Sequence, residues 1–214
     1  MHAHAGEGEG EKTDNPSAPL LSTEGAAVHL STFSNAQPTS DTPASETINS
    51  GFKPAVPYGT EGTEWILFGG GAAYDFSNAT DVNLNIGYSR FLVDDVEWLL
   101  ELGAWYHSQE GDDAASLNPL MEFRWHFYNK GSTSLFFNLG IGMFFATDNI
   151  PDKGTGFDFS PRAGIGLTHQ ISGDGTRIIT GIRWHHISNA RIAGEFRNPS
   201  RDAPMLYVQL AVPF

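Results

Sequence analysis

The sequence predicts an all-β fold: an eight-stranded antiparallel transmembrane β-barrel over residues 63–214, preceded by an acidic, low-complexity, disordered tail over residues 1–62. Three observations predict it. After Thr63, eight segments alternate apolar with small or polar residues, the period of two that sends side chains to opposite faces of a sheet. The links between these segments alternate between tight and long. The last segment runs from Leu206 to a terminal Phe214 with the same alternation.

The tail is rich in Ser, Thr, Pro, Gly, Ala and Glu and has no sustained period. Such a segment buries too little apolar surface to offset the entropy lost on ordering. Two short apolar pieces, Ala26–Leu30 and Phe52–Pro54, do not support a domain. A leader that delivers a barrel to the envelope is expected to have a basic start, an apolar core and a small-residue cleavage site. The opening Met1-His2-Ala3-His4-Ala5-Gly6 shows none of these.

The first barrel segment, around residues 64–76, is Gly-rich and has the weakest phase. The second sets Val82, Leu84, Ile86 and Tyr88 against Asn83, Asn85, Gly87 and Ser89. The third sets Val96, Trp98, Leu100 and Leu102 against Glu97 and Glu101, and the fourth Met121, Phe123, Trp125 and Phe127 against Glu122, Arg124 and His126. The fifth is clearest, with Leu135, Phe137, Leu139, Ile141, Met143 and Phe145 opposite Asn138, Gly140 and Gly142. In the sixth, Phe157, Phe159, Ala163, Ile165 and Leu167 oppose Ser160, Arg162, Gly164, Gly166 and Thr168. The seventh carries Ile178, Thr180, Ile182, Trp184, His186 and Ser188 on one face, with Ile179, Gly181, Arg183 and His185 on the other. The eighth aligns Leu206, Val208, Leu210, Val212 and Phe214.

The tight links are Val93-Asp94-Asp95, Asn129-Lys130-Gly131-Ser132 and Ser172-Gly173-Asp174-Gly175. Longer polar links fall at 107–116, 146–156 and 189–203, with a shorter one near Ser77-Asn78. Tight turns on one rim and long loops on the other is the outer-membrane arrangement, short turns periplasmic and long loops outside. An eight-stranded interior is filled by side chains, so Glu97, Glu101, Glu122, Arg124, Arg162 and Arg183 are expected to pair with one another. Pro119, Pro161 and Pro204 fall near strand starts, where a lost ladder bond costs least. The final strand closing on Phe214 resembles the assembly signal of bacterial outer-membrane proteins. A soluble lipocalin-like barrel needs its apolar residues inside, whereas here the inward set holds Gly, Asn, Arg and Glu.

Composition removes other classes. The net charge of −13 argues against a nucleic-acid partner, which requires clustered Lys and Arg. Cysteine is absent, so disulfides and thiolate metal sites are excluded. With 40% hydrophobic residues the chain reads as soluble in bulk, but alternation dilutes the average in a barrel. No apolar run has the length of a transmembrane helix. His107, His126 and His169 lie on different strands without metal-site spacing, and no Gly-rich loop opens a helix to bind phosphate.

One run carries chemistry: Trp184-His185-His186-Ile187-Ser188-Asn189-Ala190, at the end of the seventh strand. Residues two apart on a strand are about 6.5–7 Å apart along the backbone, so His186 and Ser188 can meet on one face. A serine hydroxyl needs such a base to become a nucleophile. Both residues fall near the outer rim, on the lipid-facing stripe. Asp202 shares the parity of the lipid-facing residues of the eighth strand and can take the third role, holding the imidazole tautomer. By spacing alone, a His and a Ser at a barrel rim are more often simple interfacial polar residues than a catalytic pair. His185 is expected in the lumen beside Arg183.

The run His186-Ile187-Ser188-Asn189-Ala190, followed by Arg197-Asn198-Pro199 and a short strand to a terminal Phe, resembles the PagL-type lipid A deacylases, also described as acyloxyacyl hydrolase-like. The likeness covers residues 63–214. It implies an eight-stranded barrel with a lipid-facing Ser-His-acid triad. Ser188 would be nucleophile and His186 base, with Asn189 and Asn198 candidates for oxyanion support. The family acid is usually a Glu placed two residues after a Gly; here Ser200 and Asp202 occupy those places and the loop is slightly longer. Glu195 is the second candidate for the acid. The expected function is therefore an outer-membrane serine esterase that removes an ester-linked acyl chain from lipid A of outer-leaflet lipopolysaccharide, needing no metal or organic cofactor. The alternative is a non-catalytic eight-stranded barrel acting as a structural anchor or adhesion protein.

Overall fold

The computed structural model of the 214-residue chain describes residues 57–76 and 78–214. The tail as far as Val56, with its pieces Ala26–Leu30 and Phe52–Pro54, and Ser77 lie outside the described residues. Nine strand segments follow: β1 Glu64–Asp75, β2 Ala79–Val93, β3 Val96–Ser108, β4 Ala114–Lys130 and β5 Thr133–Ile150. The second half comprises β6 Thr155–Phe159, β7 Arg162–Gln170, β8 Arg177–Ile187 and β9 Arg201–Pro213. Each strand pairs antiparallel with its neighbours, β1 pairs with β9, and β4 pairs with β5, so the sheet closes on itself.

Segments β6 and β7 both pair with β5 and form one descending span, interrupted at Ser160-Pro161. Proline has no N–H to give the ladder, and this break falls beside the end of β8. The nine segments therefore make eight spans. Among the described residues no helix is long and apolar enough to cross a membrane. Only strands cross.

The alternation sorts the faces as a membrane barrel requires. Leu84, Trp125, Leu139, Ile141 and Leu206 are exposed on the outside, Leu139 and Leu206 each at 67%. Inside, Glu122 takes Arg124 Nε at 2.8 Å and Arg162 Nε at 2.6 Å, while Arg162 Nη1 reaches Glu101 at 2.9 Å. Gln209 ties this lattice across the lumen, accepting from Arg124 and donating to Glu101. Buried charges are tolerable where each is paired and hydrogen-bonded in this way.

Two features depart from the alternation. Aromatic side chains also fill the lumen: Phe91, Trp105, Phe136 and Phe144 are buried among the charges. Residues 57–62, which composition assigns to the tail, pack against the mouth at the tight-turn rim. There Tyr58 stands edge-on to Trp65 and Phe91, lies under the Arg177 guanidinium at 3.9 Å, and its carbonyl accepts from Asn129.

The strands also outrun the predicted loops. The pairing of β3 with β4 continues to His107↔Ala114, and that of β5 with β6 to Ile150↔Thr155. The links shrink to 109–113, 151–154 and 188–200. Hydropathy alternation ends where lipid ends, but backbone hydrogen bonding does not, so these extensions leave no hydropathy signal.

Candidate active site

Strand β8 ends at Ile187, and its next residue is fixed by backbone rather than by a ladder. Ser188 forms an isolated bridge with Phe159, its N–H donating to the Phe159 carbonyl at 3.1 Å and its carbonyl accepting at 2.7 Å. The His186 N–H donates to the Pro161 carbonyl at 3.1 Å. The interruption in the descending span thus receives both residues of the His-x-Ser pair. Arg183, His185, Ile187 and Asn189 are buried, so Trp184, His186 and Ser188 share the opposite, outward face.

Across the ladder, His186 is directly opposite Asp202 in the β8–β9 register. The imidazole links the two oxygens: Nδ1 lies 2.8 Å from Asp202 Oδ1, and Nε2 lies 2.9 Å from Ser188 Oγ. A carboxylate accepts only, so Nδ1 carries the proton and Nε2 accepts from the serine hydroxyl. The imidazole is largely covered, with its side chain 20% exposed, while that of Asp202 is 53% exposed. Asp202 Oδ1 also accepts from the Trp184 indole at 2.7 Å. The sequence assigned Trp184 to the lipid-facing stripe and gave it no other part.

Asn189 is buried, and its side chain closes the following loop. Its Nδ2 donates to the Arg197 carbonyl and to Thr155 Oγ1, and its Oδ1 accepts from the Arg191 N–H at 2.9 Å. Between these contacts the chain turns through left-handed backbone at Ala190 and Arg191, with φ of 52° and 65°. Asn198 caps the short 3₁₀ turn Glu195–Arg197 through its backbone N–H, and its Oδ1 is buried without a hydrogen-bond partner among the described residues. Glu195 sits on that turn with its side chain exposed, and among the described hydrogen bonds none joins it to His186.

Three other histidines, His185, His107 and His126, are buried in the lumen, while His169 is exposed. His185 stacks on Trp105 with ring centroids 4.8 Å apart. His107 bridges Asp81 and Ser116 in the lumen, and His126 bridges Ser134 and Glu97. Spacing could not find the His107 contacts, because they cross from strand to strand.

The sequence profile of the lipid A 3-O-deacylase (PagL) family matches residues 82–211, well over half of the chain. The chain belongs to this family. The matched span includes His186, Ser188 and Asp202. The protein is thus an outer-membrane barrel of the lipid A deacylase family, and its place is the bacterial outer membrane. The crystal structure of the outer-membrane enzyme PagL is similar in fold, with a TM-score of 0.55 and 19% identity, over 69% of this chain and 99% of that one. Neisserial surface protein A is similar with a TM-score of 0.53 and 11% identity, over 71% of this chain and 96% of its own. No curated protein sequence matches the chain.

Proposed function

We propose that this family member is a serine ester hydrolase that removes an ester-linked acyl chain from lipid A in the outer leaflet. The observation that carries the reading is the position of His186. It joins Ser188 to Asp202 by two hydrogen bonds on the lipid-facing wall, at the rim bearing the 188–200 loop.

In this mechanism Ser188 Oγ attacks the ester carbonyl while His186 Nε2 takes its proton. Asp202 holds the Nδ1–H tautomer and stabilises the imidazolium that forms. Collapse of the tetrahedral intermediate expels the sugar alkoxide, which receives the proton from His186 and leaves as a hydroxyl. Water, deprotonated by the same imidazole, then attacks the acyl-serine; collapse expels Ser188 Oγ, which takes the proton back from His186, and the fatty acid is released. Because the groups face lipid, the ester reaches them without leaving the membrane.

Developing negative charge on the carbonyl oxygen needs donors already in place. The Asn189 amide is spent on Arg197 and Thr155, so its support is given through the shape of the 190–197 turn. Asn198 stands on that same loop as the side-chain candidate for the oxyanion. A non-catalytic anchor would not require the pair to face outward or a carboxylate to stand 2.8 Å from the imidazole. The test compares lipid A mass spectra from cells expressing wild type and Ser188→Ala. Loss of one acyl chain in wild type alone is expected; identical acylation in both removes the proposal.

A further inference from the structure

Trp184 is placed by the ladder in a particular relation to the acid. In the β8–β9 register it stands opposite Pro204, one step along its face from the His186↔Asp202 pair. It is therefore diagonal to Asp202, and diagonal neighbours about 7–8 Å apart are within reach of a long aromatic side chain. The indole spans that distance. Its Nε1 donates to Asp202 Oδ1 at 2.7 Å, the same oxygen that His186 Nδ1 reaches at 2.8 Å. The indole and imidazole rings lie 5.3 Å apart and are tilted by 32°.

We propose that Trp184 is a positioning residue of the hydrolytic site, its indole N–H holding the Asp202 carboxylate in the orientation that accepts the His186 proton. This rests on the reading of Ser188, His186 and Asp202 as the reacting set. An aspartate at a half-exposed position is free to rotate its carboxylate away from the imidazole. The two donors converge on one oxygen from two points of the neighbouring strand and remove that freedom. An indole donates and cannot accept, and it does not titrate, so it can hold the acid without competing for the transferred proton. A tryptophan that serves only as an interfacial anchor turns its N–H toward headgroups and water. Here the N–H is spent on the acid.

A hydrogen bond to a charged group corresponds to a factor of roughly ten to a hundred in population. Trp184→Phe keeps the ring and removes the donor. In the full chain refolded in detergent with lipopolysaccharide as substrate, kcat is expected to fall at least about tenfold, with KM changed less than about twofold. Unchanged heat-modifiable mobility on gels shows that the barrel has folded. In an Asp202→Asn background the same substitution is expected to cost nothing further, because Trp184 acts through that carboxylate. In ¹⁵N-tryptophan-labelled protein, Asp202→Asn is expected to shift the Trp184 indole resonance upfield. Equal penalties in the two backgrounds, a change in KM alone, or an unmoved indole resonance would each overturn the role of Trp184 while leaving the nucleophile assignment standing. Full activity in Ser188→Ala overturns the hydrolytic reading itself, and this proposal with it.

Discussion

The barrel holds the same three residue types, joined the same way, on each of its two faces. On the lipid side His186 lies 2.8 Å from Asp202 and 2.9 Å from Ser188; in the lumen His107 lies 2.7 Å from Asp81 and 2.8 Å from Ser116. Distances alone do not separate them. Surroundings do. His107 is fully enclosed, stacked on Trp105 and edge-on to Phe144, and the carboxylate oxygen it meets is also claimed by Arg201 Nη1 at 2.6 Å. That serine is buried in the lumen, and a guanidinium shares the carboxylate beside its histidine. Asp202 instead receives an uncharged indole N–H and stands half-exposed on the outer face. On the proposed reading, the outward set is the reacting one because it faces the phase that holds the substrate.

Arg201 joins the two regions. It and Asp202 are successive residues of β9, so the pleat sends one side chain in and the next out. The inward guanidinium ties the upper end of β9 to Asp81 and to Gln109 Oε1, and thereby fixes the strand that presents Asp202.

The contrast breaks most sharply at the serines. Ser188→Ala is expected to lower fatty-acid release from lipopolysaccharide by about 10⁴-fold or more, whereas Ser116→Ala changes it by less than about threefold. If loss of Ser116 abolishes release and loss of Ser188 does not, the lumen group is the reacting one. The acid comes next. Asp202→Asn keeps the shape but favours the wrong tautomer, for an expected loss of about 10²–10⁴ in kcat. That loss should be measured beside wild type at one pH in the same detergent.

Stability changes should follow the same division between inside and outside, with smaller effects. Arg201→Met leaves the Asp81 carboxylate without its guanidinium in a buried site, for an expected cost of about 3 kcal/mol in denaturant unfolding from lipid vesicles. The half-exposed Arg90–Glu64 pair at 3.5 Å serves as control, since Arg90→Met is expected to cost less than about 1 kcal/mol. A charge on the outer wall is the converse test. Leu139→Arg, at a site 67% exposed to lipid, is expected to cost about 2 kcal/mol by the same measurement. An unchanged midpoint would mean that Leu139 does not face hydrocarbon.

The alternation over residues 133–145 was enough to place Phe137, Leu139 and Ile141 outside and Asn138 inside, because a closed sheet between lipid and a filled lumen leaves each residue only two environments. His186 and Ser188 were legible for the same reason, being two apart on one strand. Asp202 could be given a face by parity and His186 as an expected partner, but not the register that sets the two opposite each other. The loop before it, residues 188–200, carries no period, so its length does not reveal the register of β9. Tyr58 was not legible at all. Its neighbours read as low-complexity tail, and its place beneath Arg177 depends on four strands, β1, β2, β4 and β8, meeting at one mouth.

By itself, then, the sequence determined which side chains meet lipid, how many spans close the sheet and which serine has a histidine beside it. These are local properties: they follow from the two-residue repeat of an extended chain and from the cost of polar groups in hydrocarbon. Tertiary structure alone decided that Asp202 rather than Glu195 reaches the imidazole, that Trp184 shares that carboxylate, and that a second, buried Asp-His-Ser hydrogen-bonded set lies in the lumen. Each depends on the stagger between strands, which is set by the packing of the whole interior and is written in no single segment.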